Sequence, residues 1–114
     1  MRRGELFRVR APGASDPRRS RVFLVVSRQV FIDAAYSSVV CVPAYSQHQG
    51  VRTEVSVGPE HGMKQPSWLR CDEVTSLAKD RLNDYVGSLP EGKLLEVDHA
   101  LIVALGIHPS LRPE

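Results

Sequence analysis

Cysteine is scarce: Cys41 and Cys71 are the only two in 114 residues, and both lie in short apolar runs. Two do not make a disulfide framework, so both read as reduced thiols of a cytoplasmic protein. No apolar run approaches the ~20 residues needed to cross a bilayer, so no membrane partner is expected. Met1-Arg2-Arg3-Gly4-Glu5 puts charges first with no apolar core behind them, so a secretory leader is not expected either. Internal repeats and low-complexity tracts are missing as well.

Hydrophobic residues make up 42% of the chain and are spread over many short runs, which fits a globular fold. The length allows one modest core, and residues 1–114 read as a single domain. The net charge of +2 hides an asymmetry: residues 1–21 carry seven arginines against Glu5 and Asp16, a net of +5, leaving −3 for the rest. A basic segment on a near-neutral body points to a polyanion such as nucleic acid.

The chain is organised around Arg18-Arg19-Ser20-Arg21-Val22-Phe23-Leu24-Val25-Val26-Ser27. The apolar run Val22–Val26 shows no alternation, so it reads as a strand covered on both faces. Arg21 then stands at the end of a rigid element. It follows the loop 11–17, whose two prolines and glycine break any strand. A fixed guanidinium there suits phosphate oxygens; the plainer reading is a solvated strand end.

Strands are expected at Gly4–Arg10, Ser20–Ser27, Ser38–Val42 (ended by Pro43), Arg52–Val57 and Ser67–Cys71. A bend or continuation is expected over Asp72–Leu77 and a closing strand over Asn83–Gly87. A short helix is expected within Arg28–Ala35. The clearest helix is the last. Ser88 and Glu91 have capping-box spacing, and Pro90 fits a first turn. Leu94, Val97, Leu101, Ala104 and Leu105 form an apolar stripe, with Gly106 and Pro109 as the stop. The fold class is mainly β (α+β): a small coiled antiparallel sheet or partial barrel packed by a C-terminal helix.

Several short motifs, taken in order, resemble the MazF/PemK/Kid family of toxin–antitoxin endoribonucleases. They are Arg3-Gly4-Glu5-Leu6, Ser15-Asp16-Pro17, Arg21 to Ser27, Val39-Val40-Cys41-Val42-Pro43 and Thr53-Glu54-Val55. Arg70-Cys71-Asp72-Glu73, Lys79-Asp80-Arg81-Leu82 and Leu89-Pro90-Glu91 follow, then Glu96-Val97, Ala100-Leu101 and Leu105-Gly106-Ile107. The resemblance runs from Arg2 to Ile107. It implies an SH3-like barrel, a homodimer, and sequence-selective, metal-independent cleavage of single-stranded RNA with no cofactor. It also implies a cognate MazE-like antitoxin with an acidic C-terminal segment. The ends left would be a cyclic phosphate and a 5′-hydroxyl.

By the same resemblance, Arg21 matches the catalytic arginine, followed by Val22 where proline is usual. Arg70 and Asp72 match an arginine and an aspartate flanking a cysteine. Ser15 falls at a polar or histidine position of the first loop. After Pro43 the family places a threonine two residues on, and this chain has Tyr45 and then Ser46. Either hydroxyl could take that role, or the step could shift to Arg21 and Asp72.

Cleavage by a neighbouring 2′-hydroxyl needs a base, a cation for the phosphorane oxygens and an acid for the leaving oxygen. Arg21 is the candidate phosphate stabiliser, Arg70 a second clamp, and Asp72 the base or orienting group. Without the family order, Arg70 and Asp72 would read as a structural ion pair. Arg18, Arg19, Ser15, Arg52 and Lys64 are candidate RNA contacts, or else a solvated basic rim. Tyr45 is the better candidate for stacking on a base, while Trp68 reads as core. His48, His61, Cys71 and Asp72 do not have the spacing of a zinc site, and His99 reads as a surface or satisfied histidine and not a catalyst. Two other readings compete: a non-catalytic CcdB-like toxin that binds DNA gyrase, and a degenerate member that binds RNA or antitoxin without cutting.

Overall fold

The computed structural model describes residues 1–11 and 19–108. Among the described residues there are seven strands: β1 (Glu5–Arg10), β2 (Ser20–Val25), β3 (Ser38–Tyr45), β4 (Glu54–Val57), β5 (Ser67–Arg70), β6 (Thr75–Ala78) and β7 (Tyr85–Ser88). A short helix α1 (Gln29–Asp33) follows β2, and α2 (Glu91–Leu105) follows β7. All pairings are antiparallel. The strand order is β4-β5-β3-β2-β1-β7, with β6 also paired to β3. The sheet curls into a half-barrel because β3 bonds β6 along its first half and β5 at its end.

Strand β3 runs through Pro43 instead of stopping there. Pro43 lies between the stretch paired with β6 (38–41) and the stretch paired with β5 (44–45), so no ladder bond on that edge needs its missing N–H. This places Tyr45 at the end of a strand that was expected to stop at Pro43.

Two apolar clusters cover the two faces of β2. Inside the curl, Val22, Leu24 and Val26 pack with Leu6, Val42 and Leu69, and with Val97 and Ala100 of α2. On the other face, Val25 packs with Phe7, Val9, Ile32 of α1, Val39, Cys41 and Leu82, with Phe23 half-buried beside them. The unalternating apolar run thus has the two-sided burial its pattern demands.

Helix α2 departs from expectation at its start and in its apolar stripe. Pro90 is its N-cap without a side-chain cap, and Ser88 is the last residue of β7, its hydroxyl 2.6 Å from that of Tyr85. The capping box therefore does not form. Val97 and Ala100 are the buried helix positions, while Leu105 is 58% exposed and drops out of the stripe. Gly106, left-handed at φ 65°, ends the helix as expected; Pro109 lies outside the described residues.

The turn 58–62 packs on β7 through two glycines. A Cβ on Gly87 would sit 2.0 Å from the His61 carbonyl oxygen, and one on Gly62 would sit 2.2 Å from that of Val86. His61 is buried in this turn, its Nδ1 accepting the Gly58 N–H at 3.1 Å.

Candidate functional site

Three strand ends converge at the mouth of the curl. Arg21 lies near the start of β2, which pairs with β3 through Phe23 and Pro43. Tyr45 ends β3 opposite Trp68 of β5, and Arg70 ends β5. Side chains alternate along a strand, so Tyr45, Trp68 and Arg70 share one face, while Ala44 and Leu69 share the core face.

The Cζ atom of Arg21 is 3.9 Å from the centroid of the Tyr45 ring, and that of Arg70 is 3.6 Å away. Two guanidiniums this close to one centroid would overlap on a single face, so the phenol lies between them. Each such contact is worth about 0.5–2 kcal/mol, depending on desolvation. Both faces of the ring are thereby taken, so Tyr45 is not the stacking platform expected from its sequence position.

Glu73 holds this stack from the edge. The Tyr45 hydroxyl donates to its Oε1, and Arg70 Nη1 donates to its Oε2 at 3.2 Å. Arg21 Nη1 donates to the Ala44 carbonyl at 2.9 Å. Arg70 Nε is buried and has no hydrogen-bond partner among the described residues. Two guanidiniums against one carboxylate leave a net positive charge at the mouth, which an anion would satisfy.

The hydrogen bond from Tyr45 lowers the Glu73 carboxyl below its ordinary value of 4.5, against its partial burial and helped by Arg70 and then Arg21. The same hydrogen bond, followed by burial, raises the Tyr45 phenol above 10, although both arginines pull it down. At neutral pH the phenol is therefore a proton-bearing donor beside a charged carboxylate. Cys41 and Cys71 are fully buried, and burial pushes their thiols up to about 12 and about 11, which removes them as nucleophiles.

Arg21 also borders two depressions. One, of about 310 Å³, is lined by Ser46, Lys64, Ser20, Ser67 and Arg8. The other, of about 460 Å³, is lined by Arg10, Arg19 and Arg81 over a floor of Val9, Phe23 and Leu77. Arg21, Ser46, Lys64 and Arg19 are thus brought together. The basic rim includes Arg8, Arg10 and Arg81, which the sequence reading did not single out; strand alternation puts Arg8 and Arg10 on one face of β1 and could have flagged them.

Other expected site residues lie elsewhere. Ser15 and Arg18 are outside the described residues. Arg52 lines a separate depression with His48, Trp68 and Glu96. Asp72 is not the partner of Arg70: it accepts the hydroxyl of Thr53, while Glu73 takes the arginine. The short helical turn 71–73 accounts for this, since it rotates successive side chains by about a third of a turn. Glu73 was missed because a strand reading would point it away from Arg70. Trp68 is half-buried on the outer face, not core; Leu69 is the buried neighbour. His48 and His61 lie in separate loops, and among the described residues no three His, Cys, Asp or Glu side chains converge as a metal cage. His99 is exposed on α2, as expected.

The fold and site define a small, mostly β protein: a curled antiparallel half-barrel with a C-terminal helix, an arginine pair at its mouth and a basic rim. The chain belongs to the PemK-like, MazF-like toxins of type II toxin–antitoxin systems, whose family profile matches residues 2–105. It is 28% identical over 107 residues to a probable endoribonuclease MazF of Mycolicibacterium smegmatis, covering 94% of this chain and 98% of that one. A mycobacterial endoribonuclease solved with its cognate antitoxin superposes at a TM-score of 0.80 with 24% identity, over 95% of this chain and 97% of that one. The Mycobacterium tuberculosis toxin MazF-mt6 gives 0.78 with 21% identity, over 91% and 98%. The MazE–MazF complex of Deinococcus radiodurans gives 0.75 with 22%, over 95% and 97%. Among the described residues no helix is long and apolar enough to cross a membrane.

Proposed function

We propose that this toxin is a sequence-selective endoribonuclease that cleaves single-stranded RNA by attack of the 2′-hydroxyl, without a metal ion. The observation that carries this reading is the Tyr45 ring held between Arg21 and Arg70. It sets two permanent charges on either side of one proton-bearing phenol.

In this mechanism Arg21 and Arg70 stabilise the phosphorane oxygens. A guanidinium is a poor proton donor, so charge stabilisation is its role. Tyr45 and Glu73 handle the proton. The phenol passes its proton to the Glu73 carboxylate as it accepts that of the 2′-hydroxyl; as the P–O5′ bond breaks it gives that proton to the leaving 5′-oxygen and takes its own back from Glu73. Ser46 supplies a further hydrogen bond to phosphate. Asp72 orders the turn through Thr53 instead of acting as the base. Lys64 and Arg19, with the rim arginines, bind the flanking backbone.

The same basic mouth suits the acidic C-terminal segment of a cognate MazE-like antitoxin, which would compete with RNA for it. The active form in this reading is a cytoplasmic homodimer.

The test is incubation of the purified protein with a long, mostly unpaired RNA in EDTA, beside an Arg21→Ala control of unchanged far-UV spectrum. Discrete cuts that vanish in the control are expected. Equal cutting by the control overturns the mechanism. No cutting by a folded wild-type protein returns the reading to binding alone, with gyrase tested next.

A further inference from the structure

Beside the arginine pair lies a second surface feature that the cleavage chemistry does not use. Trp68 is the cross-strand neighbour of Tyr45, half-buried on the same outer face. The His48 ring stands 4.9 Å from the Trp68 ring, tilted by 49°. Between them and α2 is an open depression of about 400 Å³, also bordered by Ser56 and Arg52.

The loop that presents His48 is tied down from within. The Glu54 side chain is only 3% exposed. Its carboxylate accepts the backbone N–H groups of Gln49 at 2.9 Å, Gly50 at 2.8 Å and Val51 at 3.3 Å. His48 Nε2 approaches the same carboxylate at 3.6 Å. A polar loop held this firmly keeps the His48 ring in a set, tilted contact with the indole, an arrangement that core packing does not require.

We infer that the open slot bordered by Trp68 and His48, beside their contact and not between the rings, takes a single nucleobase of the RNA strand, from a nucleotide flanking the scissile phosphate, and so helps choose where the chain cuts. The inference rests on the nuclease reading above. Directly opposed residues of antiparallel strands lie about 5 Å apart at Cα. Tyr45 fills the space between the two guanidiniums, so a phosphate held by their outward N–H groups leaves an adjoining base within reach of Trp68, the cross-strand neighbour of Tyr45. Indole offers a broad π-face to an unstacked base, and the His48 ring can hydrogen-bond its edge. Trp68 and His48 are then specificity residues, with no part in the proton transfers.

Trp68 is the only tryptophan of the chain, so its fluorescence reports this slot alone. The experiment uses the full chain carrying Arg21→Ala to prevent turnover, and short RNAs centred on a cut site mapped with the wild type. In one series each nucleotide in turn is abasic. Binding is followed by anisotropy of labelled RNA, and stacking by tryptophan quenching. Quenching by intact RNA that disappears with one particular abasic position, next to the cut, is the expected result. In the active protein, Trp68→Ala should lower kcat/KM on intact RNA about tenfold or more, and cost little further on the abasic RNA. Trp68→Phe should retain most of the discrimination. RNA binding without quenching, or an unchanged base preference in folded Trp68→Ala, overturns the slot while leaving the nuclease reading intact. No RNA binding and no cleavage by the wild type overturns both.

Discussion

The guanidinium carbon of Arg70 lies 3.6 Å from the centre of the Tyr45 ring, although the two residues are 25 positions apart in sequence. That contact separates the two parts Tyr45 can play. As a ring it spaces two cations; as a phenol it donates a hydrogen bond to Glu73. Tyr45→Phe keeps the first and removes the second. It should retain the fold and RNA affinity while lowering kcat by about 10²–10⁴-fold, the usual range for a positioned acid or base. Tyr45→Ala removes both and should also weaken binding. Single-turnover cleavage beside anisotropy separates the two effects.

Arg70 makes a cation–π contact and an ion pair with Glu73 at once. A planar fork can do this and an ammonium cannot reproduce it. Arg70→Lys should therefore behave almost as Arg70→Ala in cleavage rate. Recovery of most activity by lysine would reduce Arg70 to a simple charge.

Acid should loosen the stack. The Glu73 carboxyl is lowered below 4.5, so it binds protons more weakly folded than unfolded. Its stabilising contribution is present above about pH 4.5 and is lost as pH falls through the lowered value. The difference in denaturation midpoint between wild type and Glu73→Gln should be constant near neutrality and shrink below pH 4.5. The phenol has the opposite sign: raised above 10, its contribution holds below that pH and fades as pH climbs through the raised value. A midpoint difference that ignores pH throughout would sink the Tyr45–Glu73 hydrogen bond.

The contact between the 58–62 turn and β7 leaves no room for a methyl group. Gly87→Ala should destabilise the protein by about 1–3 kcal/mol, as overpacking does. A 1 kcal/mol loss corresponds to a fall in Tm of about 4–8 °C in a small domain. Because the turn lies beside Met63 and Lys64 of the cleft wall, cleavage should suffer too; calorimetry and activity on one preparation test both.

Backbone binding should follow salt. If Lys64 and Arg81 each neutralise one phosphate, removing either lowers the slope of log K against log salt by about 0.7 for a single strand. Arg52, which lies away from this rim, should leave the slope unchanged.

Much of this protein was legible in its residues. The unalternating run Val22–Val26 required cover on both faces, and two clusters supply it. The 3.6-residue spacing and Gly106 marked α2 and its end, and the order of short motifs marked the family. Arg21 stood out at the mouth of an apolar strand, and Arg70 through its match to a motif of the family. Pairings were not legible. Whether Pro43 ends a strand depends on which neighbours it has, and the change of partner along β3 answers that only in three dimensions. Whether Asp72 or Glu73 meets Arg70 depends on a turn of three residues, where one step of backbone rotation redirects a side chain. Periodicity fixes which residues are apolar together, because burial acts through a repeating face. It is silent on contacts between strand ends, which arise from curl and register. Those contacts bring Arg21, Tyr45, Arg70 and Glu73 to one point.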